Sequence, residues 1–96
     1  MEFDSAPVGP PQGHLVESTV DGHINLYDPV NSRVHVLNGT ASDAWLLSDG
    51  EHTAEQIAAL LAEAYAIDVE TIRSSVLDTV GFFYNEGLLT REHGAA

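Results

Sequence analysis

The chain of 96 residues contains no cysteine and no lysine. Without cysteine there is no disulfide, no thiolate metal ligand and no thiol nucleophile. Its cations are three arginines, Arg33, Arg73 and Arg91, set against fifteen acidic residues, for a formal net charge of −12. A surface of that sign opposes nucleic acid, because binding there depends on Lys and Arg releasing counterions from phosphates. Anionic membrane surfaces are opposed for the same reason, whereas a basic or apolar partner is suited. No apolar run approaches the roughly 20 residues that span a bilayer, and no basic segment leads into an apolar stretch. The expectation is a soluble, cytoplasmic protein.

Catalytic motifs are also missing. The five histidines, His14, His23, His35, His52 and His93, form no HxxxH or HExxH pattern. Ser74-Ser75 has no base at an evident spacing, and there is no GxGxxG and no P-loop. The carboxylates are spread over turns and helix surfaces. Only His23 and His35, on neighbouring strand candidates, could approach one another. The reading is no enzyme, no metal and no cofactor.

A chain of this length suits one domain with one small core. Residues 1–13, MEFDSAPVGPPQG, hold three of the four prolines and no apolar period, and read as a disordered or loosely attached tail. The domain is expected over residues 14–90, with residues 91–96 as a second tail.

Within the domain, residues 14–20 (HLVESTV) form a first strand candidate. Asp21-Gly22 is a hairpin signal, since both positions tolerate positive φ. Residues 23–27 (HINLY) form the second strand. Asp28-Pro29-Val30-Asn31-Ser32 is a turn, with Pro presetting φ and Asp and Asn bonding local backbone. Arg33–Leu37 (RVHVL) is the third strand, at the edge of an antiparallel meander.

Asn38 is placed to cap a first helix over residues 39–47, with Ala41, Ala44 and Trp45 inward and a second local cap from Thr40 and Asp43. Thr53 and Gln56 have capping-box spacing and open a second helix over 54–65, with Ile57, Leu60, Leu61 and Ala64 inward. Asp68 is the expected N-cap of a third helix over 69–86, closed by Gly87 and anchored by Leu88 and Leu89. Three strands followed by three helices, without βαβ alternation, predict an α+β fold.

The third helix has more apolar face than a core stripe requires. On a helical wheel Ile72, Phe83, Val76, Val69 and Val80 share one arc, and Arg73, Tyr84 and Leu77 widen it on one side. That flank could line a groove, or pack beneath the sheet or the N-terminal segment. The opposite flank carries Ser75, Asp78 and Thr79. Phe82 is the exception there, either covered by the N-terminal segment or part of a contact. Arg33 and Arg73 stand on the two elements that could border one groove, although pairing with a nearby carboxylate is the commoner fate of a surface Arg.

These residues, in this order, resemble the PqqD-like family of precursor-peptide recognition elements for ribosomally made, modified peptides. The resemblance runs over about Leu15–Thr90. It is carried by Val36-Leu37-Asn38-Gly39-Thr40-Ala41 with Ala44-Trp45, then Asp49-Gly50 with Thr53-Ala54-Glu55-Gln56-Ile57. Leu60-Leu61 with Tyr65 and Ile67-Asp68 follow, and Val76, Phe83 and Gly87-Leu88-Leu89 complete it. No single piece is specific; their order and spacing are.

The resemblance implies a winged helix-turn-helix-like fold. It implies that the leader of a precursor peptide adds as a strand to the third strand, in the cleft with the third helix, and is presented to a modifying enzyme. Carried onto this chain, the leader-binding residues are Arg33, Val34, His35, Val36 and Leu37 of the strand, and Arg73, Val76, Leu77, Val80 and Tyr84 of the helix. Strand alternation leaves open which strand side chains face the groove: Val34 and Val36 are apolar, but Leu37 must anchor the first helix, which would put Arg33 and His35 on its face. The enzyme (a radical SAM enzyme, a leader protease or a cyclase) is expected in trans. Members act in lasso peptide, PQQ and sactipeptide pathways, and no residue here decides among them. Gly81 in the helix costs about 1 kcal/mol relative to Ala; it either allows close approach of a strand or peptide or is simply tolerated. Two alternatives stand beside this reading: a winged-helix DNA-binding regulator, against which the charge argues, and a homodimeric domain pairing through the same strand edge.

Overall fold

The computed structural model describes residues 6–90. The order is β1 (Val16–Val20), β2 (His23–Asp28), β3 (Arg33–Val36), α1 (Gly39–Leu47), α2 (Ala54–Tyr65) and α3 (Val69–Asn85). The strands form one antiparallel sheet in the order β1-β2-β3. The α+β architecture, three strands and then three helices, is the one the sequence predicts.

Local chemistry accounts for most boundaries. Asp21 (φ +53°) and Gly22 (φ +79°) both occupy the left-handed region, which a tight hairpin turn requires. Asn38 accepts the Ala41 N–H at 2.8 Å and starts α1. Thr53 and Gln56 cap α2 reciprocally, at 2.9 and 3.1 Å. After α3 the chain turns at Gly87 (φ +72°), and the Leu88 N–H reaches back to Phe83 O at 2.9 Å. Asp68 holds the N-cap position of α3 but its side chain makes no cap bond. Thr71 N–H is taken by the Asp68 carbonyl instead, at 3.0 Å.

The core lies between the inner face of the sheet and the helices. Ile24, Leu26 and Leu37 meet Trp45, Ile57, Val76, Val80 and Phe83. Trp45 stands edge-on to Phe83 with ring centroids 5.1 Å apart, and its indole N–H donates to Glu17 Oε1 at 2.9 Å. The buried face of α2 is Ala54, Ile57, Ala58, Leu61 and Ala62. Leu60 and Ala64, expected inward, are exposed. The three alanines let α2 and α3 approach closely, so the helix turns its small residues inward.

Two further features depart from the sequence-based expectation. Beyond β3, the Ser42 hydroxyl accepts the Ile24 N–H at 2.9 Å and donates to Leu37 O at 3.2 Å, so a side chain from α1 completes a rung of the ladder. The N-terminal segment, expected as a loose tail over residues 1–13, is a strap from Pro7 to Gln12. Val8 is buried, and exchanges backbone bonds with His52 O and Gly50 N at 2.7 Å each. Pro10 O accepts Thr90 N–H at 2.8 Å, and Gln12 N–H donates to Leu88 O at 2.9 Å. A Cβ on Gly9 (φ +91°) would lie 2.3 Å from Ser48 O, so only glycine lets the strap lie this close. A prolyl segment has no apolar period, and its backbone groups find partners far along the chain; composition cannot show either. Residues 1–5 and the 91–96 tail lie outside the described residues.

Candidate functional site

The sheet register decides what the edge of β3 offers. Leu37 N–H donates to Ile24 O at 2.9 Å, which makes Ile24 and Leu37 a hydrogen-bonded pair. Opposed residues in an antiparallel ladder alternate between bonded and non-bonded pairs. Leu26–His35 and Asp28–Arg33 therefore also bond inward, while Asn25–Val36 and Tyr27–Val34 do not. Val34 and Val36 direct their N–H and C=O groups away from β2, towards the side where β3 has no neighbouring strand. The register also settles the side chains. Arg33, His35 and Leu37 share the face of buried Leu26, and Val34 and Val36 share the outer face of the sheet with Tyr27.

One stripe of α3 runs alongside. The His35 imidazole stands edge-on to Phe82, with centroids 5.9 Å apart and planes at 79°. Two residues back, Arg33 donates to Glu86 Oε1 at 2.8 Å. Two strand residues advance about 6.6 Å and four helical residues about 6 Å, so β3 and α3 run antiparallel and nearly in step. Ser75, Thr79, Phe82 and Glu86 recur at helical spacing along this face. The Arg33–Glu86 pair closes one end of the cleft over a hollow bordered by Asn31, Asn85 and Gly87. His35 Nε2 is buried without a hydrogen-bond partner, and Phe82 is 43% exposed. Phe82 is thus part of a contact and not covered by the N-terminal strap.

Of the five strand residues of the expected site, Arg33 and His35 lie on the cleft side, and Val34 and Val36 turn their backbone to the free edge. Leu37 is instead buried in the core, with its N–H on Ile24 O and its C=O on the Ser42 hydroxyl. The five helix residues do not line the cleft. Arg73 faces α2: its guanidinium donates to Glu55 at 2.6, 3.1 and 3.2 Å and also pairs with Glu70. The Arg73 hydrogen bonds hold the Glu55 carboxyl below its ordinary pKa against the opposing effect of desolvation. Tyr84 is buried, and its hydroxyl accepts Gly9 N–H from the strap at 3.0 Å. Leu77 packs on the core, and Val76 and Val80 are wholly buried in it. The widened flank serves α2 and the strap, and the flank read as polar faces β3. Phe82 announced itself in the sequence as a lone aromatic on that flank. Glu86 gave no signal, because its partner is 53 residues away.

Asp28 holds the turn between β2 and β3. The buried Asp28 carboxylate accepts Asn31 Nδ2 at 2.8 Å, Val30 N at 3.0 Å and Asn31 N at 3.1 Å, with His14 Nε2 3.1 Å away. The Asn31 side-chain bond leads in holding its pKa below the ordinary carboxylate value. His23 is on the outer face of the sheet and His35 on the inner, so they cannot share a metal across the strands. Among the described residues no three His, Asp or Glu side chains are grouped to hold one. No helix there is long and apolar enough to cross a membrane.

Comparison with known proteins agrees with this architecture. The chain is similar to a solved structure described as TbiB1 in complex with the TbiA(beta) leader peptide. That likeness has a TM-score of 0.74 and 20% identity, and covers 84% of this chain and 94% of that one. No curated protein sequence matches the chain. The family model for PqqD, coenzyme PQQ synthesis protein D, matches residues 24–89, from β2 to the end of the Gly87-Leu88-Leu89 closure. That is more than half of the chain, and on this ground the protein belongs to the PqqD family.

Proposed function

We propose that this protein is a non-catalytic recognition element that binds the leader of a ribosomally made precursor peptide. The leader adds as a strand to β3 and is presented to a modifying enzyme acting in trans. The observation that carries the reading is the edge itself: Val34 and Val36 offer two N–H and two C=O groups beside a cleft walled by Phe82. Family membership and the leader-bound structural neighbour support it.

Energetics say what else the leader must bring. Four ladder bonds contribute about 0.5–1.5 kcal/mol each, and binding at about 1 μM requires roughly 8 kcal/mol net of association costs. The ladder alone falls short. One or two apolar leader side chains buried against Phe82 and His35 would each add about 1.5–3 kcal/mol. Alternate leader residues, those on the side of Arg33, His35 and Leu37, enter the cleft and supply selectivity. From the helix, Phe82 and Glu86 take the place of Arg73, Leu77 and Tyr84, while Val76 and Val80 act from the core beneath.

The test is a titration with the synthetic leader of the precursor encoded beside this gene, followed by backbone amide NMR. Shifts are expected at residues 33–37 and around Phe82. Val36→Pro removes an edge donor and should weaken binding. Absence of shifts, or unchanged affinity in the proline variant, would overturn the reading. A shift of duplex DNA, or a dimer in sedimentation by analytical ultracentrifugation that the leader does not dissolve, would favour the alternatives.

A further inference from the structure

An antiparallel sheet with one face on the core usually turns polar side chains to water on the other. This sheet does not. Val16, Val20, Tyr27, Val34 and Val36 project from its outer face and are between 46% and 69% exposed. The remaining positions of that face in the strands are Ser18, His23 and Asn25, so it carries no Asp, Glu or Arg in a chain of net charge −12. Val16, Tyr27 and Val34 form one continuous row across all three strands, ending at the free edge. A grouped apolar surface of this kind marks an interaction site.

We propose that this outer face docks the modifying enzyme, through a surface on that enzyme with an apolar centre and a Lys/Arg border. The inference rests on the leader-binding reading above. Two observations select this occupant. The first is charge. A second copy packed face to face would bring two sheets about 10 Å apart, with 12 net negative charges on each chain. Arg33 and Arg73 are each already held by carboxylates, so neither relieves that repulsion. A partner with a basic border gains from the same field.

The second is continuity with the edge. A leader residue opposite Val34 or Val36 carries its side chain on the same side as that valine. The leader strand therefore extends the Val16–Tyr27–Val34 row by one position. The enzyme would meet a composite surface, part domain and part substrate, and so engage the loaded domain in preference to the empty one.

The experiment uses the full chain, the synthetic leader and the purified modifying enzyme encoded with the precursor. V16T/Y27T keeps β-compatible residues and stays clear of β3. Its leader affinity should match the parent, while enzyme affinity in the presence of leader should fall about tenfold or more. Val20→Glu, a single exposed change, should weaken enzyme binding in the same direction and serves as the readout if the double variant melts early. Enzyme affinity unchanged in a folded variant overturns the proposal, as does a parent dimer that V16T/Y27T dissolves without affecting the enzyme. Failure of the leader to bind the parent chain is a separate result and falls on the leader-binding reading.

Discussion

His35 and Phe82 meet edge to face, 5.9 Å between ring centroids, and this contact joins the edge strand to the helix that walls its cleft. Phe82 keeps 43% of its surface exposed, so much of the ring is free to receive a leader side chain. Phe82→Ala is expected to weaken leader binding by about 1.5–3 kcal/mol, roughly ten- to a hundredfold. Its effect on stability should be smaller, because the ring is only partly buried. Calorimetric titration and a thermal melt measure the two; full leader affinity in the folded variant would move the leader out of this cleft.

Ser42 stands where a ladder bond would otherwise be. With Ser42→Ala, buried Ile24 N–H and Leu37 O lose their hydroxyl partner. Leaving such a group unsatisfied costs about 1–3 kcal/mol, and for a domain of this size each kcal/mol lowers the melting temperature by about 4–8 °C. A melting point unchanged by the substitution would show that the rung does not depend on the hydroxyl.

Asp28 makes stability depend on acid. Its pKa is depressed in the folded state, first by the Asn31 side-chain bond. A depressed carboxylate contributes stability that is present above its unfolded pKa of about 3.9 and is lost as pH falls through the folded value. Glu55, held down by Arg73, acts in the same direction. Denaturant midpoints should therefore decline below about pH 4. Asp28→Asn should flatten that decline while lowering stability at neutral pH, and an unaltered slope would remove Asp28 from the account.

Ala66 ends α2 in the left-handed region at φ +59°. An L-residue there costs about 1–2 kcal/mol, partly offset for glycine by its larger unfolded-state entropy. Ala66 is exposed, so Ala66→Gly removes no core contact. It should stabilise the protein by about 0.5–1 kcal/mol in urea unfolding, without altering leader affinity.

Much of this protein was legible from short-range chemistry. Caps at Asn38 and Thr53, the Asp21-Gly22 turn and the Gly87 closure act within a few residues, and the elements they delimit lie at or within two residues of their expected places. The apolar stripe of α3 was legible for the same reason, since Ile72, Val76, Val80 and Phe83 recur at the helical period. The edge position of β3 followed from consecutive hairpins.

What the sequence by itself determined is therefore the set of elements, their order and the family to which that order belongs. Tertiary structure alone decided which flank of α3 faces β3. Arg73, Leu77 and Tyr84 could wall a groove or pack beneath the sheet or the N-terminal segment, because an apolar flank needs a neighbour, and the wheel shows only that need. The neighbours proved to be α2, through Glu55, and the strap, through Gly9. The N-terminal segment was one candidate to cover that flank, but its path as a strap was not legible, because backbone bonds from Val8, Pro10 and Gln12 to residues 50–90 leave no local pattern. Periodicity reports that a face must be covered; only packing across long separations in the chain decides what covers it.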